Sequence, residues 1–249
     1  PHDLFEVLDA LHEQGVLFAV ASGRQYGNLR GLFGPVRDRI AFVCENGALV
    51  VWQDEVLSRT PMSRAAVREL VNNARSAGKF EILLCTADAA YHESERSEFL
   101  DSVNHYYSSV VQVPDLQDLD AEFLKVVFWH PDGIESRQAG LAPLPAGVKT
   151  MVSGFNYIDC MNVAAHKGHA VTAVQEYFGI SPEETMVFGD YLNDLEMMAV
   201  ADHSHAMANA HPEILAAARF RAPANTENGV LHTIRLKVLD QSGYPKAGL

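Results

Sequence analysis

The sequence predicts an α/β fold: a parallel sheet covered by helices and interrupted by an inserted α+β module. Three observations carry that prediction. Short apolar runs at residues 16–21, 40–44 and 186–188 lack the alternation of a half-exposed strand and read as strands buried on both faces. Each run ends in a polar turn, Ser22-Gly23-Arg24, Glu45-Asn46-Gly47 or Gly189-Asp190. From about residue 59 to 162 this rhythm gives way to hairpin-like strands mixed with helices.

Leu4, Val7, Leu8 and Leu11 fall on one stripe of an opening helix, which Gly15 ends ahead of the strand at 16–21. A second helix is expected over 25–33, then the strand at 40–44, and Asn46-Gly47 turns the chain back into an extended piece at 48–52 in the manner of a hairpin. The insert should hold a helix over 64–77, a strand over 81–86, a polar His- and Glu-rich piece up to His105, and a strand over 125–130. A helical piece from Ile134, a Pro- and Gly-bearing connection at 141–147 and two short strands at 149–152 and 157–162 complete it. The βα rhythm then returns, with helices over 168–178 and 192–201 and a strand at 186–188 between them. A weak strand near Ala206, a helix over 212–217, a strand over 220–222 and a helix over 229–239 close the chain. The expected division is a split core of residues 1–57 and 163–249 and a separate lobe of residues 58–162.

With 249 residues, 48% of them hydrophobic, the chain can bury a full core. Its net charge of -13, from 19 Lys+Arg against 32 Asp+Glu, argues against nucleic-acid or anionic-membrane partners. Cys44, Cys85 and Cys160 each sit in an apolar stretch, so buried thiols in a reducing cytoplasm are expected rather than disulfides or a zinc site. No apolar run approaches membrane-spanning length and no signal peptide precedes the first helix, so a soluble cytoplasmic protein is expected.

In a parallel sheet the strand C-termini share one edge, so loops distant in sequence meet there. The Ser22 hydroxyl and the backbone N–H groups at Ser22-Gly23 can cradle phosphate oxygens, and Lys167, near a helix start, adds positive charge. Asp190 and Asp194 supply the carboxylate oxygens that a hard cation such as Mg²⁺ requires. Each piece alone has a plainer reading: Ser22 as a helix cap, Lys167 as a solvated lysine, Asn46-Gly47 as a turn. Their order and shared edge favour a phosphate site. His203-Ser204-His205 reads as solvent-facing polarity on a strand, and His92, Glu93, Glu95, Arg96 and His105 as a solvated face. Met161, Met198 and Met207 read as core filling.

The matching residues Ala21-Ser22-Gly23-Arg24, Glu45-Asn46-Gly47-Ala48, Lys167-Gly168, Gly189-Asp190-Tyr191-Leu192-Asn193-Asp194, Ala206-Met207-Ala208-Asn209-Ala210 and Glu227-Asn228-Gly229-Val230 come in a telling order. In them the chain resembles the haloacid dehalogenase (HAD) superfamily, and within it the Cof-type (subfamily IIB) sugar-phosphate phosphatases. The resemblance covers essentially the whole chain. It implies a Rossmann-like three-layer core with a parallel sheet and an inserted α+β cap of the C2 type. It also implies that Ser22, Gly23, Arg24, Asn46, Lys167 and Asn193 contact the substrate phosphate, that Lys167 stabilises its charge, and that Asp190 binds Mg²⁺. Asp194 would support the metal or Lys167 from close by.

The family's nucleophile lies in an Asp-x-Asp-Gly-Thr motif at the end of the first core strand, ahead of a helix like 4–12, and this sequence contains no such motif. Without it there is no phosphoryl acceptor and no general acid/base. Either a preceding segment of about 15 to 25 residues supplies the strand and its loop, or the protein is a non-catalytic relative. The resemblance implies that this strand lies in the middle of the sheet, between the strands that end at Ser22 and Phe188, and its loss would leave two rows of backbone groups unpaired at about 1 to 3 kcal/mol each, against a net stability of about 5 to 15 kcal/mol. A preceding segment is therefore the expectation. The expected function is an Mg²⁺-dependent phosphatase of a small phosphorylated metabolite, in particular a sugar phosphate, working through an aspartyl phosphate. An inert phosphate-ligand binding protein and a phosphomutase are the alternatives, and no oligomeric state is implied.

Overall fold

The computed structural model describes residues 3–78, 80–134, 141 and 143–240. In chain order its elements are α1 (Leu4–Glu13), β1 (Phe18–Ala21), α2 (Tyr26–Leu32), β2 (Ile40–Cys44), β3 (Leu49–Trp52), β4 (Glu55–Arg59), α3 (Arg64–Ala77), β5 (Glu81–Cys85), β6 (Ala90–His92) and α4 (Ser97–Tyr106). These are followed by β7 (Val110–Gln112), β8 (Lys125–Trp129), β9 (Val148–Gly154), β10 (Tyr157–Asn162), α5 (Lys167–Phe178), β11 (Met186–Gly189), α6 (Leu195–Met198), β12 (His203–Met207), α7 (Pro212–Ala217), β13 (Phe220–Ala222) and α8 (Gly229–Ile234). Two compact units result. One takes the described residues up to Ser22, Phe33–Ser58 and those from His166 onward; the other takes Gly23–Leu32 and Arg59–Ala165.

In the first unit β1 pairs in parallel with β2, and β3 and β4 extend that sheet to the order β1-β2-β3-β4. A second sheet, β11-β12-β13, is parallel throughout. Burial explains the unbroken apolar run of β2: Ala41 and Val43 pack on Ala170 and Val174 of α5, while Phe42 meets Phe33 edge-on at 6.4 Å. A side chain on either face is covered, so no polar residue can alternate. Met197, Met198, Met207 and Ile214 fill the second core, beneath α6 and α7. β1 and β11 flank a cavity of about 360 Å³, lined by residues 17–21 on one side and 185–188 on the other. Consecutive residues of both strands line it, so their backbone edges and not only one face border the space. Leu11 of α1, Val171 and Val174 of α5, and Val230 and Ile234 of α8 complete an apolar wall.

The second unit is built on one sheet of order β7-β6-β5-β8-β10-β9. The alternation of its strands distributes two cores. Ile82, Leu84, Val126, Phe128, Ile158 and Cys160 meet Val67, Leu70, Val71 and Ala74 of α3; Leu83, Cys85, Val127 and Trp129 meet Phe99 and Val103 of α4. Helix α3 has a clear start and stop: Ser63 accepts the N–H of Ala66, and Gly78 closes the end in the left-handed conformation.

Four expectations are corrected. The polar piece before His105 is ordered as β6 and α4, and His92 within it is buried rather than solvated. His205 is also buried: it stacks between Phe188 and Phe220, its neighbours across the sheet, at 5.1 Å from each ring. Residues 23–32, expected in the core, belong to the second unit, where Gln25 Oε1 accepts the N–H and Oγ–H of Ser108 at 3.2 and 3.1 Å. The helix expected over 192–201 is a 3-10 turn followed by the four-residue α6. The helical piece expected from Ile134 falls mainly on residues outside those described. The three cysteines are free and buried, and among the described residues no helix is long and apolar enough to cross a membrane.

Candidate active site

The loops at the C-terminal ends of β1, β2 and β11 and the start of α5 are joined by a continuous set of contacts. At the end of β1, the Ser22 N–H donates to Val43 O at 2.9 Å and its carbonyl accepts the Asn46 N–H at 3.1 Å. Asn46 Oδ1 in turn accepts Asn193 Nδ2 at 3.2 Å. Lys167, the first residue of α5, places Nζ 2.6 Å from Asp194 Oδ1, with both side chains buried. Asp194 Oδ2 accepts the backbone N–H groups of Asp190 and Tyr191 at 3.0 and 3.4 Å. Both Asp194 oxygens are therefore committed, Oδ1 to Lys167 of α5 and Oδ2 to the backbone of its own loop. Gly189 permits this fold-back, since a Cβ there would stand 2.5 Å from Asp194 Cβ.

Asp190 is partly exposed beside this pair. Asn225 Nδ2 donates to its Oδ2 at 3.4 Å, Asn209 Oδ1 accepts the Asn225 N–H at 3.1 Å, and the His211 N–H donates to the Asp190 carbonyl at 2.8 Å. Ser22, Asn46, Lys167, Asp190, Asn193 and Asp194 thus gather in one unit. Gly23 and Arg24 lie at the head of α2 in the other unit, where Arg24 Nη1 donates to Asn28 Oδ1 at 3.1 Å. Asn209, His211 and Asn225 had no role in the sequence reading. They lie in or beside recognisable motif stretches, but only the adjacency of β12 and β13 to β11 brings them to Asp190.

Among the described residues no three His, Cys, Asp or Glu side chains converge as a metal cluster. Mg²⁺ normally keeps water and takes one or two carboxylates plus substrate phosphate. Asp190, with Asp194 engaged by Lys167, fits one carboxylate of such a shared site. Burial pushes the Cys44 thiol, at the end of β2, well above its ordinary range, so it is no nucleophile.

An α/β core with these loops at the C-terminal ends of its strands, joined to an α+β insert, defines a class of phosphoryl-transfer proteins. A family model described as haloacid dehalogenase-like hydrolase matches residues 2–234. The chain belongs to that family, in its Cof-type branch, and is a phosphatase. Among its relatives, the 5-amino-6-(5-phospho-D-ribitylamino)uracil phosphatase YbjI of Escherichia coli (strain K12) is 33% identical over 224 residues, which cover 89% of this chain and 83% of that protein. A solved structure from Eubacterium rectale superposes with a TM-score of 0.85 at 27% identity, covering 95% of this chain and 91% of that one. The HAD subclass IIB sugar phosphatase BT4131 shares the fold at a TM-score of 0.78 and 19% identity, over 96% and 92% of the two chains.

Proposed function

We propose that the protein is an Mg²⁺-dependent phosphatase of a sugar or polyol phosphate, whose nucleophilic aspartate stands on a strand seated between β1 and β11. The observation that carries this reading is the cavity of about 360 Å³ bordered by both strand edges. Its lining runs up to Ala21 and Phe188, the residues just before Ser22 and the Gly189-Asp190 turn. An extended segment there would pair with both edges and supply the partners that buried backbone groups require. Its C-terminal end would deliver an Asp-x-Asp-Gly-Thr motif, which residues 1–249 do not contain, to the loops.

The chain's own residues would then divide the work. Ser22 and the N–H that follows it hold phosphoryl oxygens, and Asn193 adds a donor. Lys167 balances the charge of the transferring group, held in place by Asp194. The leaving oxygen takes a proton from the second aspartate of the seated strand, which afterwards draws one from the water that attacks the aspartyl phosphate. Asp190 would hold Mg²⁺, which supplies neutralising charge to the phosphoryl oxygens. The name of the 33% identical relative, a phosphatase of a ribityl phosphate, supports an open-chain polyol phosphate as the substrate class.

The test is hydrolysis of p-nitrophenyl phosphate and of ribitol 5-phosphate by the full-length protein with and without Mg²⁺. Turnover is expected only with the metal, and Asp190→Ala should reduce it at least 100-fold. Metal-independent turnover, or an active Asp190→Ala variant, would remove the assigned role. Phosphate binding without turnover would turn the reading to an inert binding protein.

A further inference from the structure

Three loops of the candidate site meet at one strained turn. Glu45, Asn46 and Gly47 have φ of 48°, 55° and 97°. Left-handed backbone is unfavourable for a non-glycine residue, so two such residues in succession persist only where the surroundings hold them. Asn46 is 5% exposed. Its N–H reaches the Ser22 carbonyl at 3.1 Å and its Oδ1 takes the Asn193 amide at 3.2 Å. The following residue, Gly47, lies against the backbone that opens α5: a Cβ there would overlap the His166 carbonyl and stand 2.8 Å from the Lys167 nitrogen. The phosphate-loop serine, the lysine and the amide of the Asp190 loop are therefore each one contact away from the same two residues.

We infer that Asn46-Gly47 is the positioning hub that fixes Ser22, Lys167 and Asn193 relative to one another, so that Asn46 acts through these residues and not as a phosphate ligand. This rests on the phosphatase reading above. Two features suit the pair to that task. Asn tolerates the left-handed region better than other side-chain-bearing residues and brings an acceptor for Asn193. Gly alone lets the Lys167 backbone approach so closely, so any side chain at residue 47 must push α5 outward at its first turn.

The experiment is a pair of double-mutant cycles on the full-length protein, reading kcat/KM for p-nitrophenyl phosphate and the urea midpoint. A misplacement of about 1 Å at a reacting site costs on the order of 100-fold in rate, and that is the loss expected for Gly47→Ala. In a Lys167→Ala background the same change should cost less than about threefold, because the group it displaces is already gone. Asn46→Gly keeps the left-handed turn and removes the acceptor. It should lower kcat/KM about tenfold alone and leave an Asn193→Ala variant unchanged. Losses that simply multiply within both cycles would overturn the inference, as would activity losses that merely track the urea midpoint. If a Gly47 or Lys167 variant does not fold, the Asn46 and Asn193 cycle decides. If the wild type hydrolyses nothing, the phosphatase reading fails separately, and the cycles are read as affinity for inorganic phosphate by calorimetry, with the same non-additivity expected.

Discussion

Replacing Asp194 with Ala tests whether Lys167 is held by a buried ion pair. Lys167 and Asp194 are 6% and 5% exposed, with Nζ and Oδ1 2.6 Å apart. Removing one partner of such a pair leaves an uncompensated charge, at a cost of about 3 to 5 kcal/mol. The N–H groups of Asp190 and Tyr191 also lose their acceptor. They border exposed residues and can turn to water, so the expected loss stays at about 4 kcal/mol, or roughly a thousandfold in the folded-to-unfolded ratio. Against a typical stability of about 5 to 15 kcal/mol the variant should fold but lie close to its limit. Urea denaturation of wild type, Asp194→Ala, Lys167→Met and the double variant gives the free energies. The double variant should be more stable than the sum of the single losses predicts, because neither charge is then left alone. A loss below about 1 kcal/mol for Asp194→Ala, or strictly additive losses, would refute the buried pair and with it the placement of Lys167.

Two further predictions follow from burial. His205 is held below its ordinary pKa chiefly by desolvation, so the neutral ring is favoured in the fold and its contribution is present above about pH 6.5. That contribution is lost as pH falls through the unfolded and then the folded value; the urea midpoint should drop between about pH 7 and 5, and less steeply in His205→Phe, with equal drops counting against the stacked site. The Cys160 thiol is pushed up to about 12 by burial and, secondarily, by Asp159, and Cys44 is raised likewise by burial and Glu45. Neither should react with a thiol-specific disulfide reagent at pH 8 until the protein is unfolded in urea; rapid native-state labelling would contradict their placement.

The elements that were legible in the sequence are those whose causes are local or periodic. Helix α3 spans the expected residues 64–77, and β2 is as apolar as a doubly covered strand must be. What escaped depended on distant partners. α4 fully buries only Phe99 and Val103 of its ten residues, so its apolar signal is faint beside the polar residues around it. His205 looked solvent-facing because the phenylalanines that stack on it come from two other strands. By local pattern the turn at Asn46-Gly47 is a hairpin turn, and the family resemblance adds only a phosphate contact for Asn46. Its left-handed run serves contacts to Ser22, His166 and Asn193, which no local pattern announces. Ser22, Lys167, Asp190 and Asn193 were readable as a set because each ends a strand or opens a helix at one sheet edge. That the second Asp194 oxygen is taken up by the backbone N–H groups of its own loop emerged only from the geometry.

The most direct measurement is a crystal structure of the full-length protein with vanadate bound. The account predicts a strand paired in parallel with both β1 and β11, filling the cavity between them, with the carboxylate of its terminal aspartate on vanadium and Ser22, Lys167 and Asn193 around the vanadate oxygens. A structure in which β1 and β11 pair directly, or in which vanadate sits away from Lys167, would contradict it.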